Sequence, residues 1–132
     1  MILDHVDIRV SNVGISRAFY EAALTPLGVG VVSEKRDPAG GEQVGFGVGG
    51  EQTFTIHSVT SDPGQDTVTV GAHIAFRAPS REAADAFHAA ALGQGAPSVG
   101  DPGPRPVYSP GYYGAFVLDP DGNNVEAVFY DT

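Results

Sequence analysis

The sequence predicts an α+β fold made of two βαβββ modules in tandem, with a cleft formed between them. Three observations carry this expectation. Residues 4–24, DHVDIRVSNVGISRAFYEAAL, align without a gap on residues 72–92, AHIAFRAPSREAADAFHAAAL, at a constant offset of 68. The aligned positions hold seven identities in 21, namely His5/His73, Arg9/Arg77, Ala18/Ala86, Phe19/Phe87, Ala22/Ala90, Ala23/Ala91 and Leu24/Leu92. In both copies the apolar spacing changes from every second residue to every third or fourth, which is the passage from strand to helix. After each helix the text returns to short strand-like runs cut by turn residues, drawing on 18 glycines and 10 prolines.

Each element follows from its residues. The first strand alternates through Val6, Ile8 and Val10. Ser11 is the expected N-cap of the first helix, since a serine hydroxyl can accept from an orphan amide of the first turn. That helix carries one apolar stripe at Ile15, Phe19, Ala22 and Ala23 and stops near Pro26–Gly28. Strands are expected at about 28–35, 42–48 and 52–59. The second copy repeats the order: a strand with Ile74 and Phe76, a cap at Ser80, and a helix with its stripe at Ala83, Phe87, Ala90 and Ala91, ending near Gly93–Gly95. A poorly defined strand near 98–108 precedes strands at 112–118 and 123–130, and Asp119–Pro120–Asp121–Gly122 has hairpin-turn chemistry. Pro102, Pro104, Pro106 and Pro110 mark 100–111 as a constrained loop. The 132 residues form one domain, module 1–60 and module 68–132 joined by linker 61–67.

Composition excludes several classes of function. With 16 acidic against 7 basic residues the net charge is −9, so a nucleic acid or an anionic membrane is not the expected partner. No apolar run approaches the length of a membrane span, and MILDHVDIRV has no basic start or apolar stretch of the signal-peptide kind, so the cytoplasm is the expected compartment. Cysteine is absent, which leaves any metal to His, Asp and Glu. The glycines of GFGVGG have no following Lys-Ser/Thr and open no helix, so they are not a phosphate loop.

A histidine at the start of a core-bound strand has an ordinary reading as a buried, hydrogen-bonded neutral ring. Here the strand is repeated and so is the histidine, and two such modules should associate about a pseudo-twofold axis that makes His5 and His73 symmetry mates. Arg9 and Arg77 repeat as well, but four residues further along, about 13 Å at the usual strand rise, which favours a structural role. His88 falls on the second helix where Tyr20 falls on the first, and is read as surface.

DHVDIRVSNVGISRAFYEAAL, AHIAFRAPSREAADAF and YYGAFVLDPDGNNVEAV together resemble the vicinal oxygen chelate superfamily over essentially the whole chain. That group includes glyoxalase I, extradiol dioxygenases, fosfomycin-resistance thiol transferases, methylmalonyl-CoA epimerase and bleomycin-resistance proteins. The resemblance implies a divalent metal (Fe, Mn, Zn or Ni) held by His5, His73 and Glu126, a small-molecule substrate chelated through oxygens, and a homodimer. In the first module Thr55 takes the position of Glu126, where glyoxalase I and the epimerase carry Glu or Gln. Classical glyoxalase I activity is therefore not expected.

His57 lies two residues beyond Thr55, on the same face of its strand, and is the candidate general base. Tyr113 is a candidate proton donor, and Tyr108, Tyr112 and Thr55 are candidate substrate contacts. The implied reaction is of the dioxygenase, lyase or isomerase type. The alternative is a protein that sequesters a drug without chemistry, as bleomycin-resistance proteins do, and metal content separates the two.

Overall fold

The computed structural model describes residues 2–131. Strand β1 (Val6–Val10), helix α1 (Val13–Leu24), a 3-10 turn (Thr25–Leu27) and strands β2 (Gly30–Arg36), β3 (Glu42–Val48) and β4 (Glu51–Ser58) form the first module. The second repeats them as β5 (His73–Arg77), α2 (Arg81–Gly93), β6 (Ser98–Pro104), β7 (Tyr112–Leu118) and β8 (Asn124–Tyr130). The two four-stranded sheets have the orders β1-β4-β3-β2 and β5-β8-β7-β6, so the same topology is drawn twice, as the repeat predicts. In each sheet the first strand pairs in parallel with the last, β1 with β4 and β5 with β8, and the other pairings are antiparallel. Among the described residues no helix is long and apolar enough to cross a membrane.

The strand alternation decides which sheet face the helices cover. Ile8, Val10, Val44, Phe46, Phe54 and Ile56 point to α1, and Ala115, Val117, Val125 and Ala127 point to α2, all buried in one continuous core. The helices also pack against each other, and the Phe54 and Phe76 rings meet edge to face across the modules at 5.2 Å. Burying each such ring stabilises the fold by about 1.5–3 kcal/mol before conformational entropy is subtracted. The other face of each sheet, which we call the open face, carries the alternate residues.

The structure corrects four expectations. Asn12, not Ser11, caps α1: its side chain accepts from the Ile15 amide at 2.9 Å, while Ser11 turns to Asp121, donating through Oγ at 2.6 Å. The repeat offset places Asn12, not Ser11, opposite the Ser80 cap. Ile15 is 58% exposed, because the buried stripe of α1 runs through Val13, Ser16, Phe19, Tyr20, Ala23 and Leu24. His88 is buried beneath β6, its Nε2 2.8 Å from Ser98 Oγ, so the position it shares with Tyr20 is an interior one. Finally β6 is a strand over Ser98–Pro104 despite its prolines, which an edge strand with two register breaks tolerates.

Within one chain β1 and β5 are not hydrogen-bonded to each other; each forms the edge of its sheet. What joins the modules, besides the core, is a buried carboxylate. Asp119, 4% exposed, accepts from the Tyr20 hydroxyl at 2.5 Å, from the Asp121 and Asn123 amides at 2.9 Å, and from Asn123 Nδ2. Burial first, and the negative Asp119 second, push the Tyr20 phenol far above its ordinary range. The folded chain thus holds the Tyr20 proton at pH values where the unfolded chain releases it. The stability this contributes is present below the unfolded pKa of about 10 and is lost as pH rises above it. Tyr20→Phe is expected to lower unfolding free energy by about 1–3 kcal/mol in urea titrations at neutral pH, because it leaves Asp119 short of a donor. The same variant should show a smaller loss of stability above about pH 10 than the wild type.

Candidate functional site

Register, read across the sheets, shows what the open faces present. In the second sheet Ala75, Glu126 and Phe116 are directly paired, as are His73, Asn124 and Leu118 one row away. In the first sheet the row matching Ala75–Glu126–Phe116 is Asp7–Thr55–Gly45–Ser33, and the next row, Arg9–His57–Gln43–Lys35, matches Arg77–Val128–Gly114–Gly103 on the other side of Glu126. Thr55 and Glu126 therefore occupy equivalent places, each opposite the second residue after the repeated histidine.

Glu126 is 1% exposed although it stands on an open face. Tyr112 donates its phenol to Oε2 in a short hydrogen bond, and His73 Nε2 lies 2.9 Å from Oε1. An ionised carboxylate only accepts, so the imidazole proton sits on Nε2. Burial, then the hydrogen bond and charge of Glu126, push the Tyr112 phenol above its ordinary range. The crowding depends on Gly114. A Cβ there would come within 3.1 Å of Glu126 Oε2, 3.1 Å of the Phe116 ring and 3.2 Å of the Tyr112 ring. Around this cluster stand Tyr108 and Tyr130, whose rings lie 5.1 and 5.3 Å from that of Tyr112.

The first module answers with a neutral network. Thr55, also 1% exposed, accepts from Gln52 Nε2 at 2.5 Å, and Gln52 Oε1 accepts from Ser33 Oγ at 2.6 Å. A register shift between Phe46 and Gly47 brings Gln52 over this face. The next row borders a polar pocket of about 380 Å³, lined in part by Asp7, Lys35, Gln43 and His57. His57 Nδ1 donates to the Ser58 carbonyl at 3.1 Å, which leaves Nε2 with its lone pair free.

The residues expected to act together are thus sorted into groups. His73, Glu126 and Tyr112 converge, with Tyr108 at their border. Thr55 and His57 lie on the open face of the other sheet. His5 precedes β1, exposed, its Nδ1 2.8 Å from Asp4 Oδ1; that hydrogen bond, and then the charge of Asp7, raise its pKa. Among the described residues no group of three or more His, Asp or Glu side chains is close enough to hold a metal within one chain. Tyr113 stands apart: it points to α2, donates to Asp85 Oδ1 at 2.5 Å and lies under the Arg81 guanidinium. It is on the face opposite Glu126, because it is odd where Tyr112 is even along β7. Arg77 and Arg105, not singled out as site residues, stack on Tyr130 and Phe116. Counting back from the Asp119–Gly122 turn pairs Phe116 with Glu126 and is the signal that finds this neighbourhood.

The donor set suits a divalent cation as half a site. Glu126 is a buried carboxylate, His73 lies beside it, and Asn124 Oδ1, next to His73 in register, is buried with no hydrogen-bond partner. A cation or its bound water would satisfy that orphan acceptor.

Comparison with known proteins identifies the class. Residues 2–127 match the model of the Glyoxalase/Bleomycin resistance protein/Dioxygenase superfamily, and the chain belongs to that superfamily. A glyoxalase/bleomycin resistance protein from Albidiferax ferrireducens T118 is 27% identical over 99% of this chain and 100% of its own, with a TM-score of 0.77. An integron cassette protein from the mobile metagenome of V. cholerae is 25% identical over 99% and 96%, with a TM-score of 0.67. Glyoxalase I from Zea mays is 25% identical over 96% of this chain but only 45% of its own, with a TM-score of 0.70. No curated protein matches the chain.

Gly114→Ala tests the packing that keeps Glu126 covered. It should cost about 1–3 kcal/mol in thermal unfolding and displace the Tyr112 ring, seen as a shift of its aromatic NMR signals. Gly93→Ala, at the last residue of α2 where a new Cβ meets open space, is the matching control and should leave both unchanged or raise stability slightly.

Proposed function

We propose that this protein is a small divalent-metal-dependent enzyme whose site is completed between two copies of the chain. Glu126 and His73 of one copy and His5 of the other hold the metal. The single observation that carries this reading is the carboxylate of Glu126, buried on the open face of its sheet beside His73 and an orphan acceptor. A carboxylate in such a place is costly unless a cation or several donors face it. Support for a second copy comes from the edges of β1 and β5, neither paired with another strand, and from the exposed Ile2 and Leu3 that lead into β1.

When bound, the metal supplies Lewis acidity toward two oxygens of a small organic substrate. The chain's own residues do the rest. Tyr112 fixes one oxygen of Glu126 by its hydrogen bond, so the carboxylate presents the other. His73 would ligate through Nε2 as the tautomer that carries its proton on Nδ1. His57, with Nδ1 committed to a carbonyl, keeps Nε2 available to take a proton from a substrate in the cleft, which suits lyase or isomerase chemistry. Phe116 and the tyrosine rings limit water around Glu126.

Metal analysis of the purified protein tests the reading: about one Mn, Fe, Zn or Ni per chain supports it, and none after supplementation points to a sequestering protein instead. The shared site has its own test. His5→Ala and Glu126→Gln should each lose metal, while a re-equilibrated equal mixture of the two should recover about a quarter of the wild-type content, one intact site per heterodimer. No recovery would place all ligands in one chain. Thr55, tied to Gln52, offers neither charge nor a base, so we expect no glyoxalase I turnover of methylglyoxal with glutathione. A rate within the ordinary enzymatic range of about 1–1,000 per second would refute that assignment.

A further inference from the structure

We infer that Asn124 sets the ring of His73 for metal binding, by accepting the Nδ1 proton of the imidazole when Nε2 turns to the metal. This rests on the proposed function for the metal itself and adds a positioning residue to it. The starting point is an atom that the fold leaves unsatisfied. Among the described residues Asn124 Oδ1 is the single buried side-chain oxygen or nitrogen without a hydrogen-bond partner. A buried amide oxygen left in that state costs about 1–3 kcal/mol, so it calls for an explanation.

The neighbours of Asn124 narrow the choice. Its side chain shares the open face with Glu126, two residues further along β8. Across the ladder it pairs directly with His73 on one side and Leu118 on the other. The Leu118 side chain has no polar atom, which leaves the imidazole as the polar partner in that row. The backbone there is fixed: the Asn124 amide donates to the Ala72 carbonyl at 2.8 Å, and the Ala72 amide donates to Asn123 Oδ1 at 3.0 Å. The imidazole leans inward over β8, since its Nε2 reaches Glu126 Oε1 at 2.9 Å. Its centre also lies 6.2 Å from that of the Phe116 ring, although β5 and β7 flank β8 and stand about 9.6 Å apart at the usual strand spacing.

The tautomer of His73 then accounts for the orphan. With the proton on Nε2, donated to Glu126, Nδ1 carries a lone pair. Nδ1 is the ring nitrogen nearer the His73 backbone, and Asn124 is the residue paired with that backbone. Two acceptors are thus neighbours, and lone pairs make no hydrogen bond with each other: among the described residues neither His73 Nδ1 nor Asn124 Oδ1 has a partner. When Nε2 becomes a ligand, its proton leaves to water and one is taken up at Nδ1, so the ring stays neutral. The mismatch becomes an Nδ1–H donor facing an amide oxygen. A metal-bound imidazole is held by just such an acceptor on its other nitrogen, and losing it costs about 10–100-fold in metal affinity. The cation satisfies the orphan acceptor through the ring, not by contact.

Asn124→Leu keeps roughly the size of the side chain and removes the acceptor. The Zn(II) Kd, measured by calorimetry, should weaken by about 10–100-fold, while the metal-free variant melts at or above the wild-type temperature, because an orphan polar atom has been removed. Long-range proton–nitrogen NMR of the ring should place the His73 proton on Nε2 in metal-free protein and on Nδ1 with Zn(II). The Nδ1–H signal of the loaded wild type should exchange with water more slowly than that of the loaded variant. A variant Kd within about twofold of the wild type, an Nδ1–H equally protected in both, or a metal-free variant that melts earlier would overturn the inference, the last by marking the amide as structural. Wild-type protein that takes up no Zn, Mn, Fe or Ni overturns the proposed function and this inference together; uptake with an unmoved variant Kd overturns the inference alone.

Discussion

The fold turns on the carboxylate of Asp119. It sits in the tight turn between β7 and β8, where Gly122 supplies the positive φ of 88° that closes the turn. From there it takes the Tyr20 hydroxyl out of α1 and orders Asn123. Asn123 in turn accepts from the Ala72 amide and donates to the Thr69 carbonyl, while along the outer edge of β1 the Thr69 amide donates to the Arg9 carbonyl and the Arg9 amide donates to Thr69 Oγ1. Five elements are therefore referred to one buried anion. Such a charge is tolerated only because every lone pair it presents has a donor, and removing one donor exposes the full desolvation cost of the rest. The residue after this network is His73, so the position of the imidazole beside Glu126 is set by the same turn that joins the modules.

How far the fold was legible follows from what a repeat does and does not encode. The 68-residue offset carries strand order, helix placement and both sheets, because duplicated backbones need duplicated apolar spacing. It also carried more than was taken from it: the offset itself aligns Asn12 with Ser80 and Tyr20 with His88. Reading His88 as surface ignored that both positions face inward, where each polar tip finds a partner, Asp119 for Tyr20 and Ser98 for His88. Ile15 misled because apolar character alone does not place a residue on the buried side of a helix whose stripe is set by Phe19, Ala23 and their neighbours.

For the candidate site, legibility stops where register begins. His73 and Glu126 are found from strand position and resemblance, and the structure brings them together. The separation of Tyr112 from Tyr113 needs only the alternation of a strand, once its pairing is known. The Gln52 contact with Thr55 depends on a register shift, and the return of Arg105 over Phe116 depends on a loop of irregular backbone. Neither has a periodic signature. They arise from a missing Cβ at Gly45, Gly103 and Gly114, where the absence of a side chain lets a distant one arrive.

Duplication gave the two modules the same backbone, and their open faces have since become chemically different. One bears an anion with a phenol and an imidazole on it; the other closes the corresponding place with an amide and two hydroxyls, all neutral and mutually satisfied. The twofold relation of the backbone is therefore not carried by its surface: two walls built from these faces would offer a ligand a carboxylate on one side and a neutral network on the other, because one threonine stands where its counterpart is a glutamate.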